Sequence, residues 1–312
     1  MTPHPIVIAH RGASGYLPEH TLAAKALAHG LGADFLEQDV VATRDSQLVI
    51  LHDLYLDDVS DVAQRFPGRH RDDGRHYVVD FDLAELRALT IFERRAPGTS
   101  TAKYPSRFPA EIGLFGVATL AEELRLVSGL NRSTGRNVGI YPEIKDPGWH
   151  RRHGIDLAKL LLAELRAFGY SSAEDPAFVQ CFDAAELTRL KGLGCGLRLI
   201  QLVGPEAEYA GLLTPAGLRG VASYAYGLGP RYSQLVEENG PRRPASSALA
   251  RLARDAGLRL HAYTFRRDDL PAYARTLDEL LEFFALVVRV DGVFCDHPDV
   301  AVRVRDEARK VQ

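Results

Sequence analysis

Two carboxylates, Glu37 and Asp39, stand two residues apart in the run from Phe35 to Val40. On a strand, residues at that spacing leave the same face. Their neighbours Leu36 and Val40 are apolar and Gln38 is neutral, so the pair belongs to no solvated charge run. Two carboxylates so close repel unless one is protonated or a cation lies between them. Glu143, in Tyr-Pro-Glu-Ile-Lys, would add a third carboxylate from a neighbouring strand. Three such oxygens with water suit a hard divalent ion, Ca2+ or Mg2+. No Cys or His cluster nearby argues for zinc. The competing reading is a structural network in which Glu37 or Glu143 pairs with Arg11 or Lys145.

His10 ends the apolar run Ile6 to Ala9, and His52 ends Leu48 to Leu51. A single histidine in such a place is more often structural. Two beside a candidate ion site shift the balance toward proton transfer, one deprotonating a nucleophile and the other protonating a leaving alkoxide. Arg11 and Lys145 would neutralise the free oxygens of a phosphate held there, and Gly12 and Gly15 allow close backbone approach. The other nine histidines carry no assignment, and His4, His70, His76, His150 and His153 are expected at the surface.

These groups act together only if a fold gathers strand ends at one mouth. Short β-rich runs alternate with helical patterns, as in βα units. The predicted strands are 6–9, 35–51 taken as one unit with a polar turn at 44–46, 138–144, 178–182, 197–203, a weak 220–222, 258–264 and 292–295. Helices are predicted over 21–30, 83–89, 156–168, from 184, 245–256 and 277–288. That count of eight predicts an α/β fold, a (β/α)8 TIM barrel, whose sites lie at the C-terminal strand ends. One domain spans 1–312, with a small insertion at 53–115 after the second strand. The insertion is rich in Asp, Arg, Gly and Pro, and so long a segment is expected to be functional.

Bulk properties exclude several classes. Of 312 residues 46% are hydrophobic and 25% charged, with 38 basic against 41 acidic residues and a net charge of −3. Nothing there points to nucleic acid or a membrane surface. Basic residues cluster only in short pairs such as Arg151-Arg152 and Arg242-Arg243. No apolar run reaches about 18 residues, so no stable membrane insertion is expected. Cys181, Cys195 and Cys295 have no metal spacing; Cys181 and Cys295 sit in apolar runs and are expected to be buried and inert. The first residues lack the basic and apolar regions of a signal peptide. The expected location is periplasmic if a leader has been removed, and cytoplasmic otherwise.

Together these residues resemble the glycerophosphodiester phosphodiesterase family. The resemblance runs through Ala9-His10-Arg11-Gly12-Ala13, Leu17-Pro18-Glu19-His20-Thr21, Glu37-Gln38-Asp39-Val40, Val49-Ile50-Leu51-His52-Asp53 and Pro142-Glu143-Ile144-Lys145. It continues in Val179-Gln180-Cys181-Phe182-Asp183, His261-Ala262-Tyr263-Thr264-Phe265-Arg266 and Asp291 to Pro298, in order along nearly the whole chain. It implies a barrel with an insertion after the second strand and one divalent cation, Ca2+ or Mg2+, on Glu37, Asp39 and Glu143. It further implies His10 and His52 as the acid/base pair, with Arg11 and Lys145 on the phosphate. The implied substrate is a small-molecule glycerophosphodiester, cleaved to glycerol 3-phosphate and an alcohol, with the glycerol 2-hydroxyl as one candidate nucleophile. Phe182 and Tyr263 would line the wall facing the glycerol or head group. His20 stands where the family usually has Asn, which puts the ordering of the loop at Glu19 in question. Tyr263 replaces a Trp of many cytoplasmic members and resembles the periplasmic bacterial type. The alternatives are a phospholipase-D-like enzyme acting on lysolipids, which needs an apolar patch at the mouth, and a non-catalytic phosphate-binding barrel. Retention of both His10 and His52 argues against the second.

Overall fold

The structure, a computed structural model, describes residues 4–238 and 244–310. The pair Arg242-Arg243 lies outside the described residues. In chain order the strands are β1 (Ile6–Ala9), β2 (Phe35–Ala42), β3 (Leu48–Ile50), β4 (Gly139–Ile144), β5 (Phe178–Cys181), β6 (Arg198–Val203), β7 (Gly227–Pro230), β8 (Val236–Glu238), β9 (Pro244–Ser246), β10 (Arg259–Phe265) and β11 (Gly292–Cys295). Among the described residues eight of these are parallel neighbours in the order β1-β2-β4-β5-β6-β7-β10-β11, and β1 pairs with both β2 and β11. The sheet therefore closes, and the (β/α)8 barrel is the observed fold. β3 is an antiparallel return on the far end of β2, with Val40 opposite Ile50 and Ala42 opposite Leu48.

The expected strand at 220–222 is wrong. Those residues end a helix, Pro215–Ala222, which Thr214 caps by accepting from the Gly217 N–H at 3.0 Å. The barrel strand is the next segment, Gly-Leu-Gly-Pro. A Cβ on Gly229 would lie 2.6 Å from Leu202, and one on Gly227 would lie 2.7 Å from the Arg259 carbonyl. Close packing thus demands residues that carry no β signature. The sequence reading also passed over the helix Leu120–Thr134, although Thr119 and Glu122 form a reciprocal capping box at its start and Thr-x-x-Glu is its sequence sign. The helix expected at 245–256 begins only at Ala248, because Pro244–Ser246 pairs with β8. Two histidines expected at the surface are buried. His76 is held by Asp57, and His150 bridges the Asp146 carbonyl and the Ala42 N–H. All three cysteines are buried and unpaired.

Inside the barrel the lower layer is apolar. Tyr141 stacks on Phe178 at 4.8 Å and meets Phe294 edge-on at 5.0 Å, with Ile8 and Ile200 alongside. The Tyr141 hydroxyl lies 2.7 Å from His261 Nδ1. Outside the barrel wall, a charged pair backs the strand that carries the acidic residues. Lys25 and Glu123 are both fully buried, with Lys25 Nζ 3.0 Å from Glu123 Oε1. Lys25 also donates to the Glu37 carbonyl, and Gln38 Nε2 donates to Glu123 at 2.7 Å. Removing one partner of such a pair strands the other charge in the interior, at a cost of about 3–5 kcal/mol. Lys25→Met is therefore expected to lose stability on that scale in denaturant titration, and adding Glu123→Leu to restore most of it. A single variant within about 1 kcal/mol of wild type would contradict this.

The chain between β3 and the helix Leu120–Thr134 packs Leu56, Val59, Val78, Phe81, Leu86 and Ile91 into a cluster of its own against Val41 and Val49. It returns toward the barrel mouth carrying Arg94 and Arg107.

Candidate active site

The C-terminal strand ends surround a cavity of about 770 Å3 lined by His10, Arg11, Glu37, Asp39, His52, Glu143, Lys145, Phe182 and Tyr263. The structure thus brings together the candidate acid/base, ion-binding, phosphate-binding and wall residues of the sequence reading. Phe182 and Tyr263 meet edge-on at 6.0 Å, and the Tyr263 hydroxyl donates to the Val203 carbonyl at 3.0 Å.

The loop after β1 makes this convergence possible. Arg11 adopts φ 58° and Gly12 φ 87°. A Cβ at position 12 would fall 2.8 Å from the Ala24 carbonyl carbon, so only glycine fits. The turn aims the Arg11 N–H at Glu37 Oε2, 2.6 Å away, while its guanidinium lies 3.4 Å from Asp39 and donates to both oxygens of Glu19 at 3.0 Å. Lys145 Nζ is 2.7 Å from Glu143 and 3.4 Å from Asp39. The ion-pair network weighed against an ion site is therefore present, but it is incomplete. No Lys or Arg ion-pairs with the Glu37 carboxylate among the described residues. Burial and the neighbouring Asp39 push the Glu37 carboxyl well above its ordinary value. Burial pushes Glu143 up to about 7 even though Lys145 pulls the other way. Asp39 is buried too, yet Lys145, His52 and His20 hold it below the usual carboxylate range.

This set of buried, hard oxygen donors, with one carboxylate lacking a cation, fits a divalent ion. His20, to which the sequence reading gave no chemistry, stands beside it. His20, Glu37 and Asp39 each offer a ligand atom, all within 4.8 Å of one another. A left-handed backbone at φ 62° turns His20 inward, and its Nε2 lies 2.7 Å from Asp39 Oδ2. An ionised carboxylate only accepts, so His20 donates and orients Asp39. The question raised by His20 at this position has a structural answer: Glu19 is ordered without it, gripped by Arg11 and by both Nε and Nη2 of Arg94 at 2.9 and 2.6 Å.

Each candidate proton-transfer histidine has a carboxylate behind it. His10 Nδ1 donates to Asp296 Oδ1 at 2.6 Å and His52 Nδ1 to Asp53 Oδ1 at 2.7 Å. Such a bond fixes the tautomer and leaves Nε2 as the free nitrogen. Burial outweighs the pull of Asp296 and lowers His10 to about 4. Burial, with Arg11 and Lys145 close by, also lowers His52. Asp296 is in turn held by Arg107 at 2.6 Å and Arg266 at 2.9 Å, and Arg94 donates to Asp53 at 2.6 Å. The sequence reading missed Asp296, Arg94, Arg107 and Arg266 as site residues. Asp296 and Arg266 carried the same sign as His10, a polar residue at a strand end. Arg94 and Arg107 sit in the aperiodic insertion and carried none.

Neutral buried histidines also tie stability to pH. Burial lowers His261 from 6.5 to about 4, as it does His10. Between those values each of these two histidines binds protons more readily in the unfolded chain than in the folded one. The stability that they contribute is then complete above pH 6.5 and is lost as pH falls toward about 4. The melting temperature is expected to fall as pH drops from about 6.5 to 4.5, with His261→Gln flattening part of the slope. A melting temperature unchanged down to about pH 4.5 would contradict the buried neutral state.

With this geometry in hand, the likeness to known proteins is specific. The model of the Glycerophosphoryl diester phosphodiesterase family matches residues 10–300. A glycerophosphodiester phosphodiesterase of Haemophilus influenzae is 39% identical over 95% of this chain and 88% of its own length. One from Treponema pallidum is 38% identical over 96% of this chain and 91% of its own. Among solved structures, an Oleispira antarctica phosphodiesterase in complex with the product sn-glycerol-3-phosphate aligns with a TM-score of 0.66 at 21% identity, covering 97% of both chains. A Thermotoga maritima glycerophosphodiester phosphodiesterase aligns at 0.62 and 20% identity, covering 96% of this chain and 98% of its own. Both share the barrel fold.

Proposed function

The chain belongs to the glycerophosphoryl diester phosphodiesterase family, and on that premise we propose that it hydrolyses glycerophosphodiesters to glycerol 3-phosphate and an alcohol by acid/base catalysis at His10 and His52. The observation that carries this reading is the pairing of both histidines with carboxylates in one cavity with Arg11 and Lys145. Arg11 and Lys145 bind the free oxygens of the phosphate and orient it. The bare Nε2 of one imidazole takes the proton of the attacking hydroxyl, which is water's or the glycerol 2-hydroxyl's; in the second case a cyclic phosphate forms and water then opens it to glycerol 3-phosphate. The other imidazole, protonated once the anionic diester lies beside it, gives its proton to the alcohol oxygen as the phosphorus–oxygen bond breaks. Glu37, Asp39 and Glu143 hold a divalent ion, Ca2+ or Mg2+, with His20 orienting Asp39. Such an ion supplies Lewis-acid polarisation of the phosphoryl group. Phe182 and Tyr263 wall the glycerol or head group. Residues 53–115 act as an insertion subdomain of the single barrel domain, and their part is to hold Glu19, Asp53 and Asp296 through Arg94 and Arg107.

The test is a coupled assay on glycerophosphocholine that reads glycerol 3-phosphate and free choline. Release of both is expected. Phosphocholine with glycerol, or no turnover with any glycerophosphodiester head group, would overturn the reading. Lysophosphatidylcholine run in parallel separates the lysolipid alternative. Phe115, an apolar residue of the insertion, packs against the insertion's own cluster and so adds nothing to an acyl surface.

A further inference from the structure

Gln180 lies on β5 in register with Glu143 on β4 and Ile200 on β6, and Glu143 is in register with Asp39 on β2. Asp39, Glu143 and Gln180 therefore occupy one level of the barrel on consecutive strands. Gln180 is 2% exposed and lines the same cavity as both histidines. Its Oε1 is buried without a hydrogen-bond partner. Two other buried glutamines of the barrel wall show the contrast. Gln38 donates to Leu36 and Glu123 and accepts from the Tyr141 N–H. Gln201 donates to the Phe182 and Leu202 carbonyls and accepts from the Tyr224 hydroxyl. Buried amides are normally satisfied in this way, and an open one calls for a missing partner.

We propose that the Gln180 amide binds a free hydroxyl of the substrate's glycerol arm and so selects glycerol diesters over diesters of alcohols that lack it. The inference rests on the reading of the site given above. A hydroxyl both donates and accepts, as the amide does. The flanking Asp39 and Glu143, when ionised, only accept, so a ligand at this level must bring a proton to share or a positive charge. A site that hydrogen-bonds a substrate hydroxyl rejects the deoxy analogue strongly, because the analogue leaves the buried amide bare.

The experiment compares wild type with Gln180→Met, of similar shape, and Gln180→Asn, which keeps the amide but withdraws it. Calorimetry measures binding of sn-glycerol 3-phosphate and of n-propyl phosphate, which carries no hydroxyl. Turnover is measured with glycerophosphocholine, and ion affinity by Ca2+ titration. Wild type should prefer glycerol 3-phosphate, and Gln180→Met should lose on the order of 10- to 100-fold for it with little change for propyl phosphate. The loss in turnover should fall on kcat/KM for glycerophosphocholine at unchanged Ca2+ affinity and melting temperature. Equal losses for both ligands, or no loss, would overturn the proposal. A fall in Ca2+ affinity would overturn it in favour of Gln180 as an ion ligand. Because the binding arm needs no turnover, an enzyme inactive on glycerophosphocholine would refute the function and still test Gln180.

Discussion

His10→Ala is expected to lower kcat on glycerophosphocholine by about 100- to 10,000-fold, the usual contribution of a positioned acid or base, while the protein stays folded. The second half of this expectation comes from what the substitution leaves behind. Asp296 loses one hydrogen bond but keeps the guanidinium groups of Arg107 and Arg266 on its other oxygen. The Ser14 hydroxyl still donates to the backbone carbonyl of residue 10 at 2.8 Å. No buried charge is stranded, so the melting temperature should move little. KM should also change little, since Arg11 and Lys145 remain to hold the phosphate. His52→Ala should show a comparable fall. The two roles can then be separated with a p-nitrophenyl leaving group, which needs no proton: the variant that lost the acid recovers much of its rate, and the one that lost the base does not. A His10→Ala enzyme within about tenfold of wild type would remove His10 from the chemistry.

Chelation is expected to abolish turnover altogether, with recovery on adding Ca2+ or Mg2+. The physical case is the unequal satisfaction of the carboxylates. Glu143 has Lys145 and Asp39 has Lys145, Arg11 and His20, whereas the Glu37 carboxylate accepts the Arg11 N–H and is ion-paired with no Lys or Arg among the described residues. A cation shared among the carboxylates completes what the protein's own cations leave unmet. Binding should also raise the melting temperature, by an amount equivalent to about 2.7 kcal/mol at a hundredfold excess over Kd. Turnover that persists after exhaustive chelation, with no thermal shift on adding either ion, would show the acidic cluster to be an ion-pair network and no more.

Much of this site was legible because its residues close apolar runs. Ile-Val-Ile-Ala before His10 and Leu-Val-Ile-Leu before His52 announce a strand and its end, and a barrel sends all such ends to one mouth. Glu37 and Asp39 were legible through the period of two of a strand. What escaped had physical reasons. Gly-Leu-Gly-Pro makes a barrel strand by being small where the neighbouring strands crowd it, and smallness is not a β signature. His20 reaches Asp39 through a left-handed backbone that no side-chain pattern encodes. Arg94 and Arg107 act from a segment without periodicity, so their partners Glu19 and Asp296 could be found only once the chain was folded. The helix Leu120–Thr134 is different, for its capping box stood in the sequence and was overlooked.

The bond between His10 and Asp296 joins residues 286 positions apart. β1 and β11 are likewise neighbours in space and at opposite ends of the sequence. On the proposed reading, the His10 imidazole and the carboxylate that sets its tautomer come together only when β11 docks on β1. Activity is therefore expected to return on refolding no earlier than this closure of the barrel, which stopped-flow assay beside near-ultraviolet circular dichroism would check.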